Sequence, residues 1–213
     1  MKTAAPLRFL TALFALGAAL PVLAFDYPLS SLSIPDAYML GKRKDFRTTE
    51  FFAPYTHNFP RPATGPHVAR ITVETPYAQV VELAEDALNA DVQRAEQELQ
   101  DKPRPFIVRV GLDMTNTYPG PPPWNPRSPG LPVPDFQRDF EIQLLQGKEV
   151  PAKSKQVYLL YSDAIANSYQ VSGAIVELQY DADKIDPYDE VTLKVRTPDD
   201  QNLITTFDLG HLK

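Results

Sequence analysis

Apolar and polar residues alternate in short runs through most of the chain after residue 67. A period of two places one set of side chains on each face of a strand, which is typical of a half-buried β-strand. Strands are therefore expected at Val68–Glu74, Phe106–Met114, Phe136–Leu145, Val157–Tyr161, Ala174–Tyr180, Val191–Arg196 and Asn202–Phe207. Together with one helix, these runs predict a mainly β fold, an antiparallel β-sandwich of about seven strands.

Two of these strands carry more detailed expectations. The Val157–Tyr161 segment is apolar throughout, which is typical of a strand buried on both faces. In the first strand, the alternation places Val68 on one face with Thr72 and Glu74, and places the remaining apolar residues on the other face. The polar face of that strand is expected to meet solvent.

The last three strands are joined by the connections 181–190 and 197–201. The second connection has the chemistry of a type I turn, because Pro198 fixes its own φ and Asp199 and Asp200 favour turns. These three strands are therefore expected to form an antiparallel meander.

One amphipathic helix is expected from about residue 76 to residue 101. Thr75 is a good N-cap, and Pro76 fits the first helical position because a missing N–H costs nothing there. Pro103 ends the helix. An apolar stripe runs along one face at Tyr77, Val81, Ala84, Leu88, Val92, Ala95 and Leu99. The stripe indicates a contact with the core, and a contact with a partner is the alternative.

The first 24 residues have the layout of a secretory signal peptide. Lys2 and Arg8 precede an apolar run at Phe9–Leu20, and the small residue Ala24 marks an expected cleavage site. An uncleaved anchor is the alternative, but a membrane-spanning helix needs about 20 apolar residues. The leader predicts a secreted or periplasmic protein of a bacterial envelope, with no membrane insertion after cleavage.

Composition excludes several classes of partner and site. The chain has no cysteine, so disulfides, thiol nucleophiles and thiolate metal sites are excluded. Its net charge is −6, and removal of the basic leader makes it more negative. Nucleic-acid binding depends on cationic contacts to phosphate, so no nucleic-acid partner is expected.

Residues 25–67 are rich in both proline and aromatic side chains. Disordered linkers lack apolar residues to bury, so we expect an irregular arm packed along the main domain. Ile34–Gly41 and Asp45–Phe52 are each expected to hold a short helix. The chain thus divides into a leader at 1–24, an N-terminal arm at 25–67 and a β-sandwich domain at 68–213.

A proline-rich loop at 118–134 is the first candidate binding site. It contains eight prolines and joins two expected strands, so we expect a surface excursion with polyproline II geometry. Tyr118 and Trp124 would present aromatic rings to a sugar or to a partner groove. In the alternative, Trp124 folds back and fixes the loop on the sandwich.

The turn Asp181–Glu190 is a weaker candidate, for Ca²⁺. Its carboxylates are oxygen ligands of the kind that Ca²⁺ takes, at Asp181, Asp183, Asp186 and Asp189. The spacing differs from an EF-hand loop, and aspartate is also an ordinary turn residue. No other cofactor is expected.

Histidines at positions 57 and 67, with Arg61 between them, form a third candidate for metal binding or acid–base chemistry. The intervening prolines exclude a shared helical face, so incidental histidines are the favoured interpretation. The chain has no nucleophile elbow, no H-E-x-x-H motif and no phosphate-binding glycine loop.

The sequence therefore favours a non-enzymatic exported protein that binds another envelope protein or a glycan. One alternative is an extracytoplasmic polymer hydrolase that uses a pair of carboxylates whose positions the sequence does not reveal. Another alternative is a structural module stabilised by Ca²⁺. The sequence leaves the oligomeric state open.

Overall fold

A computed structural model describes residues 25–86, 104–118, 136–164 and 168–213. The helices within these ranges are α1 (Ser33–Arg43), α2 (Phe46–Phe52) and α3 (Pro76–Asp86). The strands within them are β1 (Thr56–Asn58), β2 (His67–Glu74), β3 (Phe106–Asp113), β4 (Glu141–Gln146), β5 (Lys148–Val150), β6 (Ser154–Ala164), β7 (Ser168–Tyr180), β8 (Glu190–Arg196) and β9 (Asn202–Asp208).

The strands form two antiparallel sheets. The first sheet has the order β1-β2-β3-β7-β6, and the second sheet has the order β5-β4-β8-β9. One buried core is shared by side chains of both sheets, including Val108 and Val176 from the first and Leu144, Leu193 and Phe207 from the second. The prediction of a mainly β, antiparallel β-sandwich is confirmed.

The described residues contain nine strands rather than about seven. β1 and β5 are three residues long, which is too short for alternation to mark them in the sequence. The expected strand Phe136–Leu145 begins later, because Phe136–Asp139 forms a 3₁₀ turn. In β8 the alternation is as expected, with Val191, Leu193 and Val195 buried.

The prediction that Val157–Tyr161 is buried on both faces is wrong. These residues belong to β6, which lies at the edge of the first sheet and pairs with β7. Tyr158 is 48% exposed and Tyr161 is 49% exposed. An edge strand has a neighbour on one side only, so apolar residues in it keep contact with solvent.

The predicted meander of the last three strands is also wrong in part. β7 lies in the first sheet and β8 in the second, so the connection between them crosses from one sheet to the other. The β8–β9 hairpin is present, and its turn is closed by a bond from Asp200 N–H to the Thr197 carbonyl oxygen at 3.0 Å. Asp200 adopts a left-handed conformation with φ of 64°.

A bulge in β2 changes the faces expected there. Val68 pairs with Leu112 and Arg70 pairs with Gly111, so Ala69 is an extra residue on β2. The alternation therefore breaks at Ala69, and Val68 lies in the core rather than on the polar face. Arg70, Thr72 and Glu74 then share the outer face of the first sheet.

Helix α3 begins as expected. The Thr75 hydroxyl accepts a hydrogen bond from Ala78 N–H at 3.1 Å, which satisfies one of the free donors of the first turn. Tyr77, Val81 and Ala84 of the expected stripe are buried. The remainder of the expected helix, 87–101, lies outside the described residues, as does the expected leader at 1–24.

The arm packs on α3. Its helices correspond to the two expected short helices, and α1 shares a small second core with α3. The two helices approach closely at Gly41, where an added Cβ would overlap the Val81 carbonyl oxygen. In the described part of the chain, none of the helices is long and apolar enough to cross a membrane.

Candidate functional site

The proline-rich loop lies mostly outside the described residues, and Trp124 is among the residues not described. Tyr118, at its start, is half-buried, and its ring meets the Phe140 ring edge-on with centroids 6.4 Å apart. The Tyr118 N–H donates to the Thr115 hydroxyl at 3.0 Å. Tyr118 thus anchors the start of the loop on the core, and a binding role for Tyr118 and Trp124 stays a prediction.

The aspartates of the acidic turn have separate partners. Asp181 accepts hydrogen bonds from Lys184 Nζ at 2.8 Å and Lys153 Nζ at 2.9 Å, and these bonds lower its pKa. Asp186 and Asp189 accept backbone N–H groups within the turn. Across the four described ranges, no three acidic or histidine side chains are grouped as a metal site requires. The Ca²⁺ site, with Asp183 as its fourth residue, stays a prediction.

The two histidines and Arg61 also have different partners. The His57 ring packs edge-on against Phe207, with centroids 4.8 Å apart. His67 is buried, with Nε2 3.3 Å from the Phe59 carbonyl oxygen. Arg61 donates to the Met114 carbonyl oxygen at 3.2 Å. Each of these contacts holds the arm or β2 in place.

A different group of charged residues comes together on the outer face of the first sheet. Arg109 lies in the middle of β3, between Thr72 of β2 and Glu177 of β7 in the strand register. Glu74 lies two residues further along β2, on the same face. The chain then turns at Thr75 into α3, which brings Glu82 back over the sheet towards Arg109.

The Arg109 guanidinium contacts all three glutamates. Its Nε donates to Glu177 Oε2 at 3.0 Å, and its Nη1 donates to Glu82 Oε1 at 3.2 Å and also to Glu74 Oε1. Gln179 Nε2 donates to the other oxygen of Glu177 at 3.0 Å. Each carboxylate oxygen of Glu177 therefore has a hydrogen-bond partner, whereas Glu82 keeps 44% of its side chain exposed.

Glu74 is the most perturbed group of this cluster. Its side chain is only 5% exposed, and its Oε2 atom is buried without a hydrogen-bond partner. Burial, together with repulsion from Glu82 and Glu177, raises the pKa of Glu74 to about 7 despite the attraction of Arg109. Glu74 therefore changes its protonation near neutral pH.

A cavity of about 180 Å³ opens beside this cluster. It is lined by Arg70, Thr72, Glu74, Glu82, Arg109, Gly111 and Ile175. Gly111 lines the cavity without a side chain, and an added Cβ there would meet Arg70 Cγ at 3.1 Å. We call this the outer-face cavity.

The outer-face cavity offers hydrogen-bond donors and acceptors with balanced charge. Arg70 and Arg109 supply donors, and Glu74 and Glu82 supply acceptors. Glu82 lies off the apolar stripe of the expected helix, and the sequence indicates no carboxylate pair. The available signal was a set of charged residues within strands, at Glu74, Arg109 and Glu177, where solvation is incomplete.

Comparisons with known proteins assign no family. No protein-family model matches the chain, and no curated protein matches it. Among solved structures, an IgNAR antibody domain C1 is similar over 71% of this chain and 99% of that chain, with 8% identity and a TM-score of 0.32. The archaellum periplasmic stator protein FlaG from Sulfolobus acidocaldarius is similar over 47% of this chain and 85% of that chain, with 13% identity and a TM-score of 0.25. These likenesses are too distant to assign a function.

Proposed function

We propose that this chain is an exported, non-enzymatic binding module that holds a neutral glycan segment in the outer-face cavity. The observation that carries the proposal is the buried Oε2 of Glu74, which lacks a hydrogen-bond partner at the wall of a polar cavity. A buried oxygen of this kind costs about 1–3 kcal/mol unless a donor reaches it. A ligand hydroxyl is such a donor.

The charge of the cavity favours a neutral polyol over an ion. Arg70 and Arg109 oppose an ammonium or metal cation, while Glu82 and the ionised form of Glu74 oppose an anion. A sugar hydroxyl donates to a carboxylate and accepts from a guanidinium, so neighbouring hydroxyls satisfy both kinds of group. Hydrogen bonds to charged groups are also about twice as strong as hydrogen bonds between neutral groups.

Export supports this choice of ligand. The leader directs the chain to a compartment in which polysaccharides are abundant, and the acidic composition disfavours nucleic acid and anionic lipid.

The described strands hold Arg109 and Glu177 in a fixed register, so the site is preorganised on rigid elements.

The test is binding of the purified protein, expressed as the full chain, to an array of neutral, anionic and cationic oligosaccharides. We expect retention on neutral glycans. Arg70→Ala removes an exposed donor of the cavity and should weaken binding about tenfold or more, since a charge-assisted bond contributes about 1.5–3 kcal/mol. Lys194→Ala, which removes an exposed cation from the second sheet, is the matched control. Absence of binding, or equal loss in both variants, contradicts the proposal.

A polymer hydrolase is the second candidate, and the raised pKa of Glu74 favours it. A carboxyl group with a pKa of about 7 is suited to donate a proton, and Glu82 is a neighbouring acceptor. Release of new reducing ends from a bound glycan, abolished by Glu74→Gln, would establish the hydrolase and exclude the non-enzymatic proposal.

A further inference from the structure

Strand β6 leaves a long backbone edge at one side of the first sheet. It pairs with β7 over eleven residues, and no strand among the described residues pairs with its other side. Unpaired strand edges present a row of N–H and C=O groups that another strand can pair with. Proteins usually shorten such edges or interrupt them with proline or bulges.

The edge of β6 lacks these protections, unlike two other sheet edges. β1 and β5 are three residues long and are followed by Pro60 and Pro151 respectively. β6 contains no proline, and the extra residue at its register shift, Ser172, lies on β7. β6 therefore has no proline and no extra residue of its own that would interrupt pairing with a further strand.

The sequence of β6 is nearly symmetric about Leu159. Apolar residues extend two positions to each side, at Val157–Tyr158 and at Leu160–Tyr161. A polar residue follows at each end, and beyond it the sequence has a basic residue at position 155 and an acidic residue at position 163. A strand with this pattern is complementary to itself in the antiparallel direction.

We propose that two copies of this chain associate through antiparallel pairing of β6 with β6, on a two-fold axis at Leu159. Closed dimers use the same patch on both subunits, which antiparallel pairing of identical strands provides. Tyr158, 48% exposed, then lies opposite Leu160, 37% exposed, of the second copy, and both become covered. This inference does not depend on glycan binding.

The charges set the register. In the symmetric arrangement each Lys155 lies opposite residue 163 of the second copy, an aspartate, whereas a parallel in-register pairing would place two Lys155 side chains together. Opposite charges stabilise a cross-strand pair and like charges destabilise it. A shift by one residue would also exchange the two faces of the strand.

Two measurements test the proposal on the full chain. Sedimentation equilibrium should show a monomer–dimer equilibrium. Lys155→Asp alone should raise the dissociation constant of the dimer about tenfold, because it creates two symmetric repulsive contacts. Lys155→Asp combined with Asp163→Lys should return the dissociation constant to within about threefold of the wild-type value. A monomer at every concentration, or equal weakening by the single and the double variant, overturns the proposal.

Cysteine crosslinking tests the position of the axis, since the chain has no cysteine of its own. In Leu159→Cys the two thiols face each other across the axis, at a Cα separation of about 4.5–5.5 Å that a disulfide can span. In Gln156→Cys the two cysteines lie about 20 Å apart, because they are offset by six residues along the strand at roughly 3.4 Å per residue. Oxidation should crosslink Leu159→Cys alone. Equal crosslinking of both variants, or none in either, overturns the assigned register.

Discussion

Replacement of Glu74 by glutamine should abolish a large pH dependence of stability. In the folded protein the pKa of Glu74 is about 7, above its ordinary value of 4.5, mainly because the side chain is buried. Between these two values the folded state holds a proton that the unfolded state releases. The contribution of Glu74 to stability is therefore greatest below pH 4.5 and decreases as the pH rises to about 7.

The magnitude follows from the difference between the two pKa values. Each unit corresponds to about 1.4 kcal/mol, so the rise from 4.5 to about 7 corresponds to a loss of about 3 kcal/mol across that window. Glutamine at position 74 keeps the size of the side chain and one acceptor oxygen, but it is neutral, so its burial carries no cost of desolvating a charge. The variant should therefore gain about 3 kcal/mol over the wild type between pH 4.5 and pH 8.

Urea unfolding at intervals of pH measures this difference directly. Glu50→Gln, at an exposed position on α2, is the matched control and should leave the pH profile of the wild type unchanged. The opposite sign, with the wild type gaining stability over Glu74→Gln as the pH rises, would refute the reasoning. It would mean that the attraction of Arg109 outweighs burial.

Further predictions concern the neighbours of this site. Glu82→Gln removes a repulsive charge and should lower the pKa of Glu74, seen as a lower midpoint in the pH titration of its carboxyl ¹³C shift. Gly41→Ala should destabilise the fold by about 1–3 kcal/mol in urea unfolding, because its Cβ would overlap the Val81 carbonyl oxygen. Thr75→Ala should cost about 1 kcal/mol by the same assay, since α3 loses its N-cap. No change in any of these three would contradict the contacts described.

The sequence predicts strands well where each one is half-buried and regular. Val191, Leu193 and Val195 alternate with polar residues because β8 has one face on the core and one in solvent. In β6 the apolar run has a different origin. A central strand buried on both faces and an apolar edge strand have the same composition, and the distinction depends on which strands lie beside them. That information is absent from the local sequence.

The site was harder to predict because its residues are far apart in the chain. Arg109 and Glu177 are 68 positions apart, and Glu74 and Glu82 belong to a strand and to a helix. Only the register of β2, β3 and β7 brings them together. Alternation predicted that Glu74 lies on the polar face of its strand, but not that α3 turns back over that face and buries it.

The most direct test of glycan binding at the outer-face cavity is an NMR titration of the ¹⁵N-labelled protein. The probes are soluble cello-, chito- and malto-oligosaccharides, together with any glycan that the array retains. Binding at the proposed site should shift the Arg109 Nε–H and the Gly111 amide, and should leave the amide of Gly147, in the β4–β5 hairpin, unchanged. Shifts confined to other surfaces, or no shifts with any of these glycans, would contradict the account.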